Sequence, residues 1–170
     1  MIIYMSFLVI FIQNDSCIIS QLREPKLIEV RNSTFFYENN RNYYKLNSDS
    51  IDFYTGNYYE LYTIGEYKIL SKYFYSESGD FFRYINFIYK NGRLKYIRFL
   101  ASFFNSNCTK ILRKNEIYKV NNNEIKRIYL RFYDEKYKMV GNTKNCDNII
   151  NFSENFEEYL YFPNLLIEER

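Results

Sequence analysis

Histidine is absent from this 170-residue chain. Its absence removes the commonest general acid/base, the commonest metal ligand and every Ser–His or Cys–His nucleophile arrangement. Tryptophan is also absent, and glycine (5) and proline (2) are scarce. No Gly-rich phosphate loop, metal-spaced Cys cluster or nucleophile elbow occurs, so the sequence carries no enzyme motif. Charge is close to balanced: a net +3 demands no polyanionic partner, and the apolar content is too high for a disordered chain. Carboxylate pairs are present, and Glu60 with Glu66 is the pair a two-carboxylate hydrolase could use. Adjacent acids such as Asp134-Glu135 and Glu168-Glu169 read as solvated turns or tails. The expectation is a non-catalytic protein without cofactor or metal.

What is abundant is aromatic: 20 Tyr and 16 Phe. Together with plentiful Asn, Lys and Ile this is the signature of an AT-rich, bacterial-type genome. Its physical consequence is a preference for strand, because Tyr, Phe and Ile fit a pleated, half-buried surface. Tyrosine covers such a surface with its ring while its hydroxyl meets water. The length suits one domain with a real core.

The clearest local signal is Phe81–Tyr89, then Lys90-Asn91-Gly92-Arg93, then Leu94–Phe104. Asn-Gly tolerates positive φ at both central positions, as a type I′ hairpin turn requires. A regular hairpin built on it pairs Tyr89 with Leu94, Phe87 with Tyr96 and Ile85 with Arg98 on one face. The other face then pairs Ile88 with Lys95, Asn86 with Ile97 and Tyr84 with Phe99. Further strands are expected at Lys26–Arg31, Thr34–Tyr37, Asn42–Leu46, Ile51–Tyr54, Asn57–Thr63, Glu66–Tyr75, Lys110–Val120, Glu124–Tyr133 and Lys136–Val140. No clear element is read over Ile18–Glu24. One short C-terminal helix is expected from Ser153 as N-cap, with Glu154, Glu157 and Glu158 in its first turns, ending before Pro163. The expected fold is therefore mainly β: an antiparallel meander of about 8–10 strands, curled or two-layered, with that helix at its end.

Tyr75–Gly79–Tyr84-Ile85-Asn86-Phe87 is echoed by Tyr89–Gly92–Tyr96-Ile97-Arg98-Phe99, and more loosely by Tyr118–Asn123–Ile125 through Phe132. The unit is a tyrosine, a short turn and a basic-aromatic strand. It resembles the hairpin repeats of MORN-like proteins, over about a third of the chain. The resemblance implies tandem hairpins and allows a partner-binding role, including that of a cytosolic immunity or antitoxin-type protein.

Met1–Ile12 is apolar except for Ser6, too short to span a bilayer but of the length of a signal-peptide core. The competing reading is a buried N-terminal strand. Cys17, after this run and preceded by Ser16, resembles the lipid-attachment site of bacterial lipoproteins. The resemblance implies a leader over residues 1–16, Cys17 as acylated first residue, and a single β-rich domain over 17–170. Cys108 and Cys146 lie in Asn-rich polar stretches and form the expected disulfide. In the chain-entropy model such a bridge stabilises by roughly 4 kcal/mol.

Basic-aromatic strands such as Arg93–Phe99 and Lys126–Tyr133 also resemble the sheets of single-strand nucleic-acid binders. Alternation that merely puts charges outside and aromatics inside is the commoner origin of that pattern, so nucleic acid is disfavoured as a partner. The expected contact face comprises Tyr84, Tyr96, Arg98, Tyr129 and Arg131. A protein or envelope partner is expected, with contact to membrane only through a lipid anchor.

Overall fold

A computed structural model of the chain describes residues 15–26, 33–39, 42–46, 58–75, 81–104, 110–122, 124–144, 146, 149 and 151–163. Eight strands form one antiparallel sheet: β1 (Thr34–Asn39), β2 (Asn42–Leu46), β3 (Tyr58–Ile64), β4 (Tyr67–Tyr75), β5 (Phe81–Lys90), β6 (Arg93–Phe104), β7 (Ile111–Asn121) and β8 (Glu124–Tyr133). Their order is β2-β1-β3-β4-β5-β6-β7-β8, so the sheet is open and β3 to β8 run as a strict meander. The departure lies at its start, where β3 pairs with β1 rather than with β2. Among the described residues, one helix, α1 (Asp15–Arg23), precedes the strands and one 3-10 turn (Phe156–Tyr159) follows them.

The mainly β expectation holds, and three local readings are corrected. The expected C-terminal helix is one 3-10 turn capped by Asn155, whose side chain accepts from the Glu157 N–H. Residues 151–162 instead spread as a strap across the sheet, because their aromatic rings find partners there one at a time. Tyr159 stacks on Phe87 at 3.8 Å, Phe152 meets Phe99 edge-on at 5.9 Å, and Phe162 meets Tyr89 at 5.2 Å. The segment read as having no element is α1, whose Ile18 and Leu22, one turn apart, are both buried. The strand expected at Lys136–Val140 is a single bridge, Tyr133 to Met139, after a turn held by the Asp134 carboxylate. Of the strand expected at Lys26–Arg31 only Lys26 is described, as a bend, and the strand expected at Ile51–Tyr54 and the first fourteen residues lie outside the described residues.

The Asn-Gly turn forms as expected, with Asn91 at φ 53° and Gly92 at φ 74°. Beyond its first two pairs, however, the register differs. Tyr89 faces Leu94, but Ile88 faces Tyr96, Asn86 faces Arg98 and Ile85 faces Phe99, leaving Lys95 as the extra residue of a β-bulge. The reason is partition between faces. A regular hairpin would put Arg98 beside Ile85 on an apolar surface. The bulge instead gathers Ile97, Phe99, Ala101 and Phe103 with Ile85 and Phe87, and sends Tyr96 and Arg98 to the side of Asn86. A one-residue shift exchanges every side chain between faces, and each fully buried aromatic or aliphatic side chain is worth roughly 1.5–3 kcal/mol. That difference outweighs the local irregularity. A second shift between Ile117 and Tyr118 leaves Ile128 as the extra residue of β8.

The two faces are chemically distinct. One is the main apolar core, closed by the C-terminal strap. The strap is pinned by Glu154, which pairs with Lys72 at 3.4 Å and Arg83 at 3.3 Å, and by backbone bonds from Leu94 to Leu160 and from Phe162 to Gly92. The other face is crossed by α1, which packs Ile18 and Leu22 with Ile69, Ile88 and Ile117.

Candidate functional site

The α1 face carries a band of buried polar side chains. The cross-strand register places Glu60, Ser71, Asn86 and Arg98 in one row across β3 to β6, and each is buried. The neighbouring row holds Tyr73, Tyr84 and Asn115. Strand alternation is responsible: polar residues at every second position end up on one face wherever the register is kept.

These groups are tied to one another. Tyr73 donates to the Glu60 carboxylate, and Asn86 Nδ2 donates to Ser71 Oγ at 2.7 Å and Tyr62 Oη at 3.2 Å. Tyr84 Oη donates to Ser71 Oγ and lies 3.2 Å from Tyr62 Oη. Burial, followed by the nearby Tyr84 hydroxyl and the Glu60 carboxylate, pushes Tyr73 far above the ordinary tyrosine range. Burial raises Tyr62 in the same way. Both are therefore neutral hydrogen-bonding groups.

The other half of the band grips α1. Arg98 sends Nη2 to the carbonyls of Glu24 and Lys26 and Nε to Asn115 Oδ1 at 3.2 Å. Asn115 Nδ2 in turn lies 3.1–3.3 Å from the carbonyls of Leu22, Arg23 and Glu24. The last carbonyls of a helix have no intrahelical donor and carry partial negative charge; Asn115 meets those of Leu22 and Arg23, and the Arg98 cation sits on the two carbonyls just beyond. At the other end, Asp15 in the first turn accepts from Tyr67, from Tyr96 at 2.9 Å and from Lys90 at 3.4 Å. The bonds from Tyr67 and then Tyr96 hold its carboxyl below the usual carboxylate range. Opposite charges thus clamp both ends of α1 to the sheet. Burial draws the Arg98 guanidinium below its usual value. Its Nη1 and the facing Asn86 Oδ1 have no hydrogen-bond partner.

All five residues of the expected contact face lie on this side, yet they do different things. Tyr84 and Arg98 are fully buried, one in the tyrosine band and the other as the helix clamp. Tyr96 is buried and holds Asp15. Tyr129 and Arg131 stand on the end strand β8, with the Arg131 guanidinium 5.6 Å from the Tyr129 ring. Tyr129 also lies under Arg23 at 5.5 Å and shares a 2.7 Å bond with Tyr133. The carboxylates Glu60 and Glu66 are not brought together. Glu60 is inside β3 under Tyr73, whereas Glu66 sits in the β3–β4 turn with Lys90 at 2.7 Å. Cys17 is exposed on α1 and is the free thiol among the described residues. Cys146 is buried against the core, and Cys108 lies outside the described residues.

Sequence reasoning missed Ser71, Asn86 and Asn115, polar residues inside apolar strands, and the clamp they join. The available signal was their position on the same face as Arg98, which becomes readable only with the bulge. Among the described residues no cluster of potential metal ligands occurs, and no helix is long and apolar enough to cross a membrane. Comparison with known protein families, curated proteins and solved structures gives no match.

Proposed function

We propose that this chain is a non-catalytic binding protein, exported or surface-anchored, that engages a protein or envelope partner through the open edge formed by β8. The observation that carries this reading is the fate of the five contact residues: Tyr84, Tyr96 and Arg98 are consumed by internal bonds, whereas Arg131, on the end strand, is exposed beside a half-buried Tyr129 whose ring and hydroxyl also meet Arg23 and Tyr133. Around them the edge offers mixed chemistry. Ile128 and Tyr137 are each 39% exposed and Met139 65%, beside the exposed cations Lys126, Arg127 and Arg131. An end strand with aromatic and apolar contact area and positive charge, closed at its far end where the Val140 N–H donates to the Phe132 carbonyl, suits a partner that sets apolar and acidic side chains against it.

Export is supported by the apolar leader, by the exposed Cys17 and by the proposed Cys108–Cys146 bridge. One observation favours the cytosolic alternative, an immunity or antitoxin-type protein. Cleavage before Cys17 would remove Asp15 and, with it, the bonds from Tyr67, Tyr96 and Lys90. Intact mass of the protein from its own host separates the two. Loss of residues 1–16 with added lipid mass supports the anchored form, and an unprocessed chain supports the cytosolic one. The partner surface is tested by a photo-crosslinking residue at Ile128, compared with one at Lys110. A discrete adduct from position 128 alone is expected. Equal labelling from both positions would discard the β8 edge as the contact surface.

A further inference from the structure

At the turn end of β5 to β8, on the α1 side, a recess of about 560 Å³ is lined by four cationic side chains, Lys90, Arg93, Lys95 and Lys119, and a single carboxylate, Asp15. That carboxylate is already engaged by Tyr67, Tyr96 and Lys90, and Lys90 is itself paired with Glu66 at 2.7 Å. Arg93, Lys95 and Lys119 form no ion pair with a described residue. We infer that this recess is an anion-binding site for a compact polyphosphate, free or carried by a small molecule.

Three features of the fold point to a built site rather than a solvated rim. First, Lys95 stands in the recess because it is the extra residue of the β6 bulge. Bulges re-aim side chains at functional positions. Second, Lys119 is placed directly opposite Lys126 in the β7–β8 ladder, a like-charge pairing that costs stability and that no described carboxylate relieves. Third, Asn91 and Asn121, at the mouths of the two flanking turns, add amide donors beside the cations. A concave surface lined by one sign of charge concentrates the opposite ion, and a multiply charged phosphate chain accepts from several such donors at once.

The recess also limits the length of its ligand. Carboxylates stand at both flanks: Glu66 on Lys90 at one side, and Glu124, opposite Asn121, at the other. A polymeric polyanion would have to pass one of them. The volume lies within the range of small-molecule sites, roughly 300–1,000 Å³. A compact polyphosphate fits both constraints better than a nucleic-acid strand. The site is independent of the β8 edge.

The test uses the full-length chain with tripolyphosphate and ATP as probes, read by thermal unfolding and by titration calorimetry, at low and high salt. Both probes are expected to raise the unfolding midpoint, as a ligand of the folded state must. The double variant Lys95→Gln/Lys119→Gln is expected to bind them about a hundredfold more weakly, on the order of tenfold per lost charged contact. Its unliganded midpoint should be unchanged or higher, since a like-charge pair has been removed. Lys110→Gln, just before the far end of β7, should bind like the parent. Absence of any midpoint shift in the parent would overturn the proposal, as would equal binding by the double variant. Tight binding of a single-stranded oligonucleotide that tripolyphosphate does not compete would replace it with a nucleic-acid site.

Discussion

Arg98→Met tests the clamp that joins helix to sheet. Arginine and methionine have similar reach, so the substitution exchanges a buried guanidinium for an apolar chain without opening a large cavity. Removed with the guanidinium are the donors to the Glu24 and Lys26 carbonyls and to Asn115 Oδ1. Hydrogen bonds to a charged group are each worth about 1.5–3 kcal/mol, which would make the gross loss about 4–9 kcal/mol. Against this stands the cost of burying the cation, several kcal/mol, which methionine does not incur. The net expectation is a destabilisation of about 2–4 kcal/mol, or roughly 5–12 °C in midpoint for a chain of this size. Urea unfolding measures the loss, and hydrogen exchange locates it: amides of residues 18–23 should lose protection first, while β5 and β6 keep theirs. Arg98→Lys keeps the charge but presents one point of donation in place of a fork, so it should recover less than half. A loss below about 1 kcal/mol, or unchanged protection in α1, would refute the assignment of Arg98 as a helix clamp.

Asp15→Asn should destabilise the protein at neutral pH, and the gap from the parent should close as the solution is acidified. The folded carboxyl lies below its usual value near 3.8, so its contribution is present above that pH and lost as pH falls through the folded value. Unfolding curves between pH 7 and 2.5 measure it, and a gap that persists at the acid end contradicts the bonding scheme. At the alkaline end, burial followed by Asp15 pushes Tyr67 up to about 12, and burial raises Tyr73, Tyr96 and Tyr133 further. Their contribution is intact below pH 10 and lost above it, so phenolate absorbance should rise in a cooperative step with unfolding; a smooth titration of all 20 tyrosines near pH 10 would contradict it. Deleting Lys95 should leave a folded protein, because it removes the extra residue and keeps both faces in phase, whereas deleting Phe99 should not; circular dichroism of the two deletions decides. Finally, alkylation without reductant should label Cys17 alone, with two further thiols appearing after reduction if Cys108 and Cys146 are paired; three labels at the outset would discard the bridge.

The strand count and the meander were legible because aromatic and β-branched runs of five to twelve residues alternate with turn residues, and Asn91-Gly92 marks its turn outright. Register was legible only as far as Leu94. Nothing in the local sequence around Lys95 announces a bulge, since its cause is the partition of Arg98 and Phe99 between faces several residues away. The five residues of the expected contact face lie on one side of the sheet, where Tyr84, Tyr96 and Arg98 are buried. Arg98 looks like a surface cation in an alternating strand, and only the packed segment shows that it binds the Glu24 and Lys26 carbonyls just beyond α1. The helix itself escaped notice because nine residues with two buried positions make a weak periodic signal. At the other end, acidic residues after Ser153 read as a helix start, while the rings of Phe152, Tyr159 and Phe162 favoured spreading along the sheet.

The clamp at both ends of α1 also sets an order of events. A nine-residue helix is below the length of roughly 12–15 at which isolated helices hold in water, so α1 depends on its docking site. That site is assembled from β4 through β8, with Arg23 meeting Tyr129 across 106 residues. α1 therefore precedes these strands in the chain yet is among the last elements to lodge. Until the eighth strand has been made, α1 lacks part of its docking site, and its lodging completes that face of the sheet.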